Sequence, residues 1–308
     1  MITAVNLTKR FGERVAVDHV SFDIPRGQVV GFLGPNGAGK TTTMRLLTAY
    51  LGADEGRAEL AGLSVADKPL EVRRRLGYLP EDNPLWDDLE LTETLHFFGR
   101  LRGLADDAAR AARVKAVVKS CGLRREVGTK VGELSKGFRQ RLGLAAAIIH
   151  DPEILILDEP TSGLDPNQVI EVRDLIRELR AQKTMLISTH ILPEAAAVCD
   201  RVIIIAGRLV ADGTPADLAG QLADKSRLHV ELRAPRAEAA AALAGLPGAV
   251  RVVAPEAEGE SFVVESAAGT DLREAAFRLA VRNDWPILSL RLERLSLEEV
   301  FRALTQNS

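Results

Sequence analysis

The stretch GFLGPNGAGKTTTMRLL, residues 31–47, constrains the fold of this chain more than any other segment. Its first nine residues hold four glycines and a proline, and a lysine and three threonines follow directly. Glycine is a weak helix and strand former, so such a cluster is typical of a sharply curved backbone or of a close approach by another group. The apolar run before it and the helical pattern after it predict a strand, a tight loop and a helix in that order.

The loop itself matches a phosphate-binding pattern. Residues 34–41, GPNGAGKT, fit G-x-x-x-x-G-K-[ST] between a predicted strand and a predicted helix, the context that the pattern requires. Backbone N–H groups in such a loop point at phosphate oxygens, and the next helix adds its positive dipole end. Lys40 would hold the β- and γ-phosphates, and Thr41 would bind Mg²⁺. A chance glycine-rich turn is the alternative, which the flanking elements disfavour. The predicted nucleotide-binding residues of this segment are Gly34, Pro35, Asn36, Gly37, Ala38, Gly39, Lys40, Thr41 and Thr42.

Length and composition bound the wider organisation. At 308 residues the chain is long enough for two domains, and its net charge of -3 creates no general attraction to nucleic acid. Its two cysteines are too few for a disulfide framework, which fits a reducing cytoplasm. The sequence has neither a signal-peptide pattern nor a window apolar enough to cross a bilayer. If the protein serves a membrane process, we expect another polypeptide to span the membrane.

Three continuous apolar runs predict strands buried on both faces of a parallel sheet: QVVGFLG (28–34), EILILDE (153–159) and TMLISTH (184–190). Helical stretches alternate with them, which indicates an α/β domain. A further run at 201–213 predicts two short strands joined at Ala206 and Gly207.

The region around residues 85–150 shows helical patterns without a strand signal, so we predict a helical subdomain inserted into the α/β core. After Gly220 the composition shifts to a strand, helix, strand, strand, helix, strand order with a last helix over 296–306. The predicted domains are therefore 1–220 and a small ferredoxin-like α+β domain over 221–308.

Acidic and basic side chains follow two of the predicted strands. Asp158 and Glu159 come at the carboxyl end of one, where open α/β sheets place their ligand crevice, and His190 ends another. Asp158 would bind Mg²⁺ through water, and Glu159 would polarise an attacking water. Two adjacent acids are also common in solvated turns, and a lone histidine is more often structural. Their position in a chain with a phosphate loop favours the functional interpretation.

A second candidate for a phosphate-binding helix N-terminus lies in GELSKGFRQRLGLAAAIIHDP, residues 132–152. Ser135 and Gly137 stand at the N-cap of a helix predicted from about Phe138, with a hydroxyl and amides directed out of its end. Taken alone, the segment is equally consistent with an ordinary capped helix.

These motifs together resemble a known family. The phosphate loop, LSKGF, ILILDEP, SGLD (162–165) and His190, in this order, are similar to the nucleotide-binding subunit of ABC transporters over residues 1–215. The resemblance implies an ATPase with a P-loop NTPase core, which works as a head-to-tail homodimer. Two ATP molecules would lie at the interface, and Ser135 and Gly137 would complete the partner's site.

The resemblance also assigns further roles. It makes Glu159 the catalytic base, His190 a sensor of the γ-phosphate and Asp165 a contact across the dimer. Phe11 would stack on adenine, since an aromatic face suits a purine, although a simple core position is the alternative.

Two positions depart from the family pattern. Glu81 stands where the family usually has glutamine, and the signature reads LSKGF rather than LSGGQ. A carboxylate can still bind Mg²⁺ but cannot donate a hydrogen bond, so Glu81 is predicted as a metal ligand and catalytic residue that retunes turnover. Ser135 and Gly137 are retained. YLPEDNPLW, LSKGFRQR and SLEEVFRALT resemble the ABC-2 type export group, most of all the subunit associated with bacterial gliding motility.

The resemblance therefore implies an ATPase that drives a separate membrane permease and sits at the inner face of the membrane through it. PEDNPLWDDLEL (80–91) would dock the permease, unless it is a plain solvated loop. A soluble relative acting on ribosomes or DNA is the alternative. The single phosphate loop, the fewer than a hundred residues between Lys40 and Ser135 and the acidic charge argue against nucleic acid. A nucleotide-gated structural subunit is disfavoured by Glu159.

Overall fold

The computed structural model describes residues 1–218, 226–253, 261–267 and 270–294. The chain divides into two compact units, the first running from Met1 to Pro215 and the second beginning at Ala216. The boundary predicted at residue 220 falls in a segment outside the described residues, so its exact place stays a prediction.

Ten strands and seven helices form the described part of the first unit. The strands are β1 (Ile2–Phe11), β2 (Arg14–Ile24), β3 (Val29–Leu33), β4 (Glu55–Leu60), β5 (Leu63–Ser64), β6 (Leu76–Leu79), β7 (Ile154–Asp158), β8 (Thr184–Thr189), β9 (Arg201–Ala206) and β10 (Arg208–Gly213). The helices are α1 (Lys40–Leu47), α2 (Pro69–Arg75), α3 (Leu91–Leu101), α4 (Asp107–Ser120), α5 (Lys136–Ile148), α6 (Pro166–Arg180) and α7 (Leu192–Val198).

The central sheet has the strand order β10-β9-β3-β8-β7-β6. Strands β9, β3, β8, β7 and β6 pair in parallel, and β10 closes the edge antiparallel to β9. Every residue of β3, β7 and β8 is buried, which explains why these strands read as unbroken apolar runs. The three strands predicted from the sequence are confirmed, as are the two strands on either side of Gly207.

A second sheet, β2-β1-β4-β5, is antiparallel throughout and was not predicted. Its strands alternate buried and exposed residues and contain register shifts, so their apolar signal is weaker than that of the central strands. Side chains of both sheets share one core, in which the Phe22 and Phe32 ring centroids lie 5.5 Å apart. The antiparallel sheet therefore covers one side of the phosphate-loop region.

Helices α3, α4 and α5 lie in the region predicted as a helical insert. Two short 3-10 turns, Arg124–Glu126 and Val131–Glu133, separate α4 from α5. Between residues 85 and 150, all of which are described, the only strand-like pairing is a single bridge between Glu90 and Lys130. Helix α5 begins at Lys136, two residues before the predicted start, because Ser135 serves as its N-cap.

The second unit contains β11 (Ser226–Leu232), α8 (Arg236–Ala244), β12 (Ala249–Val253), β13 (Ser261–Ser266), α9 (Arg273–Arg282) and β14 (Ile287–Arg294). The strands form one antiparallel sheet in the order β12-β13-β11-β14, with its own apolar core. This is the element order expected from the sequence. The last predicted helix, over 296–306, lies outside the described residues.

Candidate functional site

The phosphate loop connects β3 to α1 and packs between the two sheets. A Cβ at Gly39 would lie 2.3 Å from the carbonyl oxygen of Ala16 in β2, and the φ of Gly39 is +93°. A Cβ at Gly34 would lie 2.5 Å from the carbonyl oxygen of Ile205 in β9. Only glycine fits at these two positions, because any side chain would collide with the neighbouring backbone.

Hydrogen bonds fix the loop to the same two sheets. The N–H of Gly207 donates to the carbonyl of Ala38 at 3.0 Å, and the carbonyl of Gly207 accepts from the N–H of Asp18 at 2.8 Å. The loop backbone is thus held by the β9–β10 turn, which is itself held by β2. A preorganised amide cradle of this kind suits an anionic ligand.

Helix α1 begins at Lys40 without a side-chain cap, since the N-cap residue is Gly39. Nζ of Lys40 donates to the carbonyl of Gly34 at 2.8 Å and to that of Pro35 at 3.3 Å, so the side chain bends back over the loop. The side chain is buried, with only 6% of its surface exposed. A positive charge and the positive end of the helix therefore coincide at one place.

The acidic side of the site is built by β7 and β8. Asp158 ends β7 and is in parallel register with Ser188 of β8. The Ser188 hydroxyl donates to Oδ1 of Asp158 and accepts from the N–H of Glu159 at 2.8 Å. The strand register thus explains how a serine that the sequence analysis did not single out holds both acids.

Glu159 connects the two sides. Its Oε1 lies 3.2 Å from Nζ of Lys40, and its Oε2 lies 3.0 Å from Nδ1 of His190. Its backbone φ is 48°, in the left-handed region that glutamate rarely adopts. Lys40, Glu159 and His190 therefore form one continuous chain of charged or polar contacts.

Burial shifts the pKa of two carboxyl groups upward. It raises the pKa of Asp158, although the hydrogen bond from Ser188 and the nearby Thr41 hydroxyl favour the charged form. Burial also raises the pKa of Glu81, and the negative charges of Asp158 and Glu159 add to the effect. A cation between these groups would favour the ionised form of both.

The residues fit the predicted magnesium ion. Oδ2 of Asp158 is buried and makes no hydrogen bond of good geometry with the described residues. Among those residues, no three histidine, cysteine or acidic side chains form a ready-made metal site. Mg²⁺ usually takes one or two carboxylates and completes its shell with water and phosphate oxygens, and Asp158 offers one such carboxylate.

Lys40, Thr41, Glu81 and Glu159 face one cavity of about 540 Å³, whereas Asp158 and His190 are not among its lining residues. Its lining residues are Phe11, Arg14, Ala16, Asn36, Gly37, Gly39, Lys40, Thr41, Thr42, Glu81 and Glu159. The structure therefore brings together most of the predicted nucleotide residues. Phe11 is 50% exposed at the end of β1, so the alternative of a simple core position is wrong.

Ser135, Gly137 and Asp165 are not among the residues that line this cavity; they form a second group. The Ser135 hydroxyl accepts from the N–H of Phe138 at 3.4 Å and caps α5. Asp165 caps α6, and a Cβ at Gly137 would lie 2.6 Å from the Gln168 side chain of α6. The starts of α5 and α6 are therefore neighbours.

Arg14 is a cavity residue that the sequence analysis missed. Its guanidinium donates to the carbonyl of Gly37 in the phosphate loop at 3.3 Å. The sequence places Arg14 shortly after Phe11, but this becomes a signal only once β1 and β2 are known to pair there, and the antiparallel sheet was not predicted.

Comparison with known proteins agrees with this geometry. Residues 17–162 match the family described as "ABC transporter". Nod factor export ATP-binding protein I of Burkholderia lata is 42% identical over 212 residues, which are 68% of this chain and 69% of that protein. The ABC transporter ATP-binding protein NatA of Bacillus subtilis is 41% identical over 211 residues, 67% of this chain and 85% of that protein.

A solved structure shows the same fold. It is an ATP-binding cassette determined as a dimer in a post-hydrolysis state with ADP and Pi. It superposes with a TM-score of 0.65 at 25% identity and covers 70% of this chain and 99% of its own. With the phosphate loop, the buried lysine and the strand-end acids in place, the chain belongs to the ABC transporter family, and it binds and hydrolyses ATP.

Proposed function

We propose that this protein is the ATP-hydrolysing subunit of an ABC-2 type exporter whose permease is a separate polypeptide at the membrane. The observation that carries the proposal is the contact chain Lys40–Glu159–His190, of which Lys40 and Glu159 line the 540 Å³ cavity. Support for export comes from relatives named for Nod factor export. Within the described residues, no helix is long and apolar enough to span a bilayer. The gliding-motility subgroup stays a prediction.

In hydrolysis, each residue has a task that follows from its place. The loop amides and Lys40 bind the phosphates, and Glu159 accepts a proton from a water aligned with the γ-phosphate. His190 orients Glu159 through its contact with Oε2. Thr41, Asp158 and Glu81 would hold Mg²⁺, which neutralises charge on the phosphate oxygens when bound.

We further propose that two copies close head to tail around two ATP molecules. Ser135 and Asp165 are exposed outside the residues lining the cavity, so they are accessible to a second copy, whereas Gly137 is buried against Gln168 and would shape the start of α5 between them. The dimeric cassette among the structural neighbours supports this arrangement. Asp165 already satisfies the N–H groups of Asn167 and Gln168 at 3.0 Å each, so it suits a contact with protein rather than with phosphate.

The test is the variant Glu159→Gln. We expect ATP turnover to fall about a thousandfold, because the general base is lost while the shape of the site is kept. ATP should then convert the monomer to a stable dimer in analytical ultracentrifugation. The matched control, Glu159→Gln with Ser135→Arg, should bind ATP and stay monomeric. A Glu159→Gln protein that remains monomeric at saturating ATP would contradict the proposal.

A second surface supports the proposal that a separate permease binds this protein. An apolar groove of about 420 Å³, here named the aromatic groove, lies beside the 80–91 segment. The Trp86 and Phe97 rings meet edge to face at 4.9 Å, and Trp86 is 51% exposed. Asn83 donates to the carbonyl of Arg139 at 2.7 Å, which ties the segment to α5. An exposed aromatic cluster on a fixed loop suits a protein partner.

Co-purification with a co-expressed ABC-2 type membrane protein tests this surface. We expect Trp86→Ala to weaken the complex at least about tenfold while basal ATP turnover stays normal. The control is Tyr50→Ala, which removes another exposed aromatic ring away from the groove. Equal retention by both variants would exclude the aromatic groove as the docking site.

A further inference from the structure

A second groove in the first unit is strongly basic and has no part in ATP binding. It lies between α2 and the C-terminal end of α3 and has a volume of about 440 Å³. Four arginines and two leucines line it: Leu70, Arg73, Arg74, Arg100, Leu101 and Arg102. We name it the arginine groove.

The positive charges are held in place by backbone groups. Arg73 donates to the carbonyls of Thr48 and Ala49, at 3.4 and 2.6 Å. Arg102 donates to the carbonyl of Arg73 at 2.7 Å. These bonds fix two guanidinium groups at the groove wall without neutralising them.

No carboxylate of the described residues forms an ion pair with any of the four arginines. Glu71, the acid within α2, lies 3.8 Å from Lys68 instead. Burial lowers the pKa of Arg102, and the neighbouring charge of Arg73 lowers it further. Arg73 and Arg102 therefore repel each other, and an anion placed between the groove arginines would relieve this repulsion.

The two leucines indicate what kind of anion would bind in the groove. Leu70 is 68% exposed and Leu101 is 67% exposed, although both belong to amphipathic helices that bury other apolar residues. A small soluble anion would use the charges and leave the leucines in water. A surface with phosphate groups beside hydrocarbon would use both.

The place of the groove in the fold also favours a membrane ligand. This point rests on the proposed permease, whereas the points from charge and from the exposed leucines do not. Arg102 lines the arginine groove and also the aromatic groove, so the two surfaces are continuous. A permease bound at the aromatic groove would bring the arginine groove towards the bilayer.

We propose that the arginine groove binds the phosphate headgroups of anionic phospholipids, with Leu70 and Leu101 entering the interface. This contact would hold the ATPase against the membrane independently of its hydrolytic site.

Vesicle flotation with the full chain tests the proposal. We expect binding to vesicles of phosphatidylglycerol and phosphatidylcholine in equal parts, none to pure phosphatidylcholine, and a decrease with added salt. Arg74→Gln with Arg100→Gln should weaken binding about twenty-five-fold, from about fivefold per arginine near an anionic surface. Leu70→Ser with Leu101→Ser should weaken it about tenfold.

Two controls separate this result from other effects. Arg124→Gln with Arg125→Gln changes the same charge on an exposed turn and should bind vesicles like the wild type. Glu159→Gln should also bind vesicles normally, so failure of the ATPase proposal and failure of the lipid proposal give different results. The groove variants should keep normal ATP turnover, which checks their folding.

Several outcomes would overturn the proposal. They are equal binding of the wild type to both vesicle types, no binding to either, or unchanged binding by the Arg74→Gln, Arg100→Gln variant. If that variant loses affinity for decaglutamate while the wild type ignores vesicles, the partner is an acidic protein segment. If inorganic phosphate alone binds and vesicles do not, the ligand is a soluble anion.

Discussion

Helices α1 and α5 both begin at sequences associated with phosphate, yet their first turns differ. Helix α1 starts after Gly39 with no side-chain cap, so its N–H groups await an external acceptor. Helix α5 starts after Ser135, whose own hydroxyl accepts from the third N–H of the turn. The first end therefore has free amides for an external anion, whereas one amide of the second is already bonded to Ser135, whose hydroxyl proton remains free to donate.

Nearby charge reinforces the difference. Lys40 lies buried at the start of α1, whereas Lys136 at the start of α5 is exposed and the Asp165 carboxylate caps the neighbouring α6. A carboxylate favours the positive end of its own helix and repels a nearby anion. We therefore expect the α1 end to determine ATP binding and the α5 end to determine the later step of closure.

The largest expected effect comes from the α1 end. Lys40→Ala should reduce ATP turnover about a thousandfold, because the site loses the cation that stabilises charge on the transferred phosphoryl group. Nucleotide binding, followed by fluorescence of a labelled ATP analogue, should weaken as well. The control Lys119→Ala removes an exposed lysine of α4 and should change neither measurement. Normal turnover by Lys40→Ala would contradict the view that the α1 end determines ATP binding.

The α5 end should show a different signature. In Gly137→Ala the new Cβ would collide with Gln168, so the start of α5 shifts. We expect turnover to fall about a hundredfold, as for loss of an anion-stabilising donor, while ATP binding to the monomer stays unchanged. Gly52→Ala, where a Cβ meets nothing, is the control. Weakened monomer binding in Gly137→Ala would show that both ends serve one site in the same chain.

Phe11→Ala would sharpen the account of the α1 end. Loss of stacking on adenine should raise KM for ATP about tenfold with little change in kcat. Inhibition by tripolyphosphate, which has no base, should be the same in both proteins. An equal loss of affinity for tripolyphosphate would assign Phe11 to loop support instead.

Glu81→Gln should have the smallest effect, a roughly threefold change in turnover, because partly exposed charges contribute little each. Its pH profile carries the information. The raised pKa of Glu81 means that the wild type loses the carboxylate, and with it a cation ligand, as pH falls through that value. Glutamine does not titrate, so the part of the acid limb of kcat/KM that Glu81 causes should disappear, while the part caused by Asp158, whose pKa is also raised, should remain. Unchanged turnover, coupling to transport and pH profile would remove Glu81 from the mechanism.

The sequence predicted the strands whose residues are all buried, because uniform burial gives an unbroken apolar run. Strands β3, β7 and β8 are buried on both faces, so an unbroken apolar run identified each of them. The sheet β2-β1-β4-β5 was missed because its strands mix exposed and buried residues and are interrupted by bulges.

The site divides in the same way. The phosphate loop, Asp158, Glu159 and His190 were predicted because each belongs to a contiguous motif beside a recognisable strand. Arg14 and Ser188 were missed because their roles depend on strand pairing between distant segments. The arginine groove was missed for the same reason, since α2 and α3 come together only in the folded chain.

The phosphate loop, here called the seam, is also the segment that joins the two sheets of the first unit. Through Ala38, Gly207 and Asp18 it is bonded to the parallel sheet on one side and the antiparallel sheet on the other. A ligand that immobilises this seam would immobilise both sheets together, so their amide protons should exchange with deuterium more slowly as one block. Bound nucleotide would then be detectable by slower amide exchange in the outer strands of either sheet, far from the nucleotide itself.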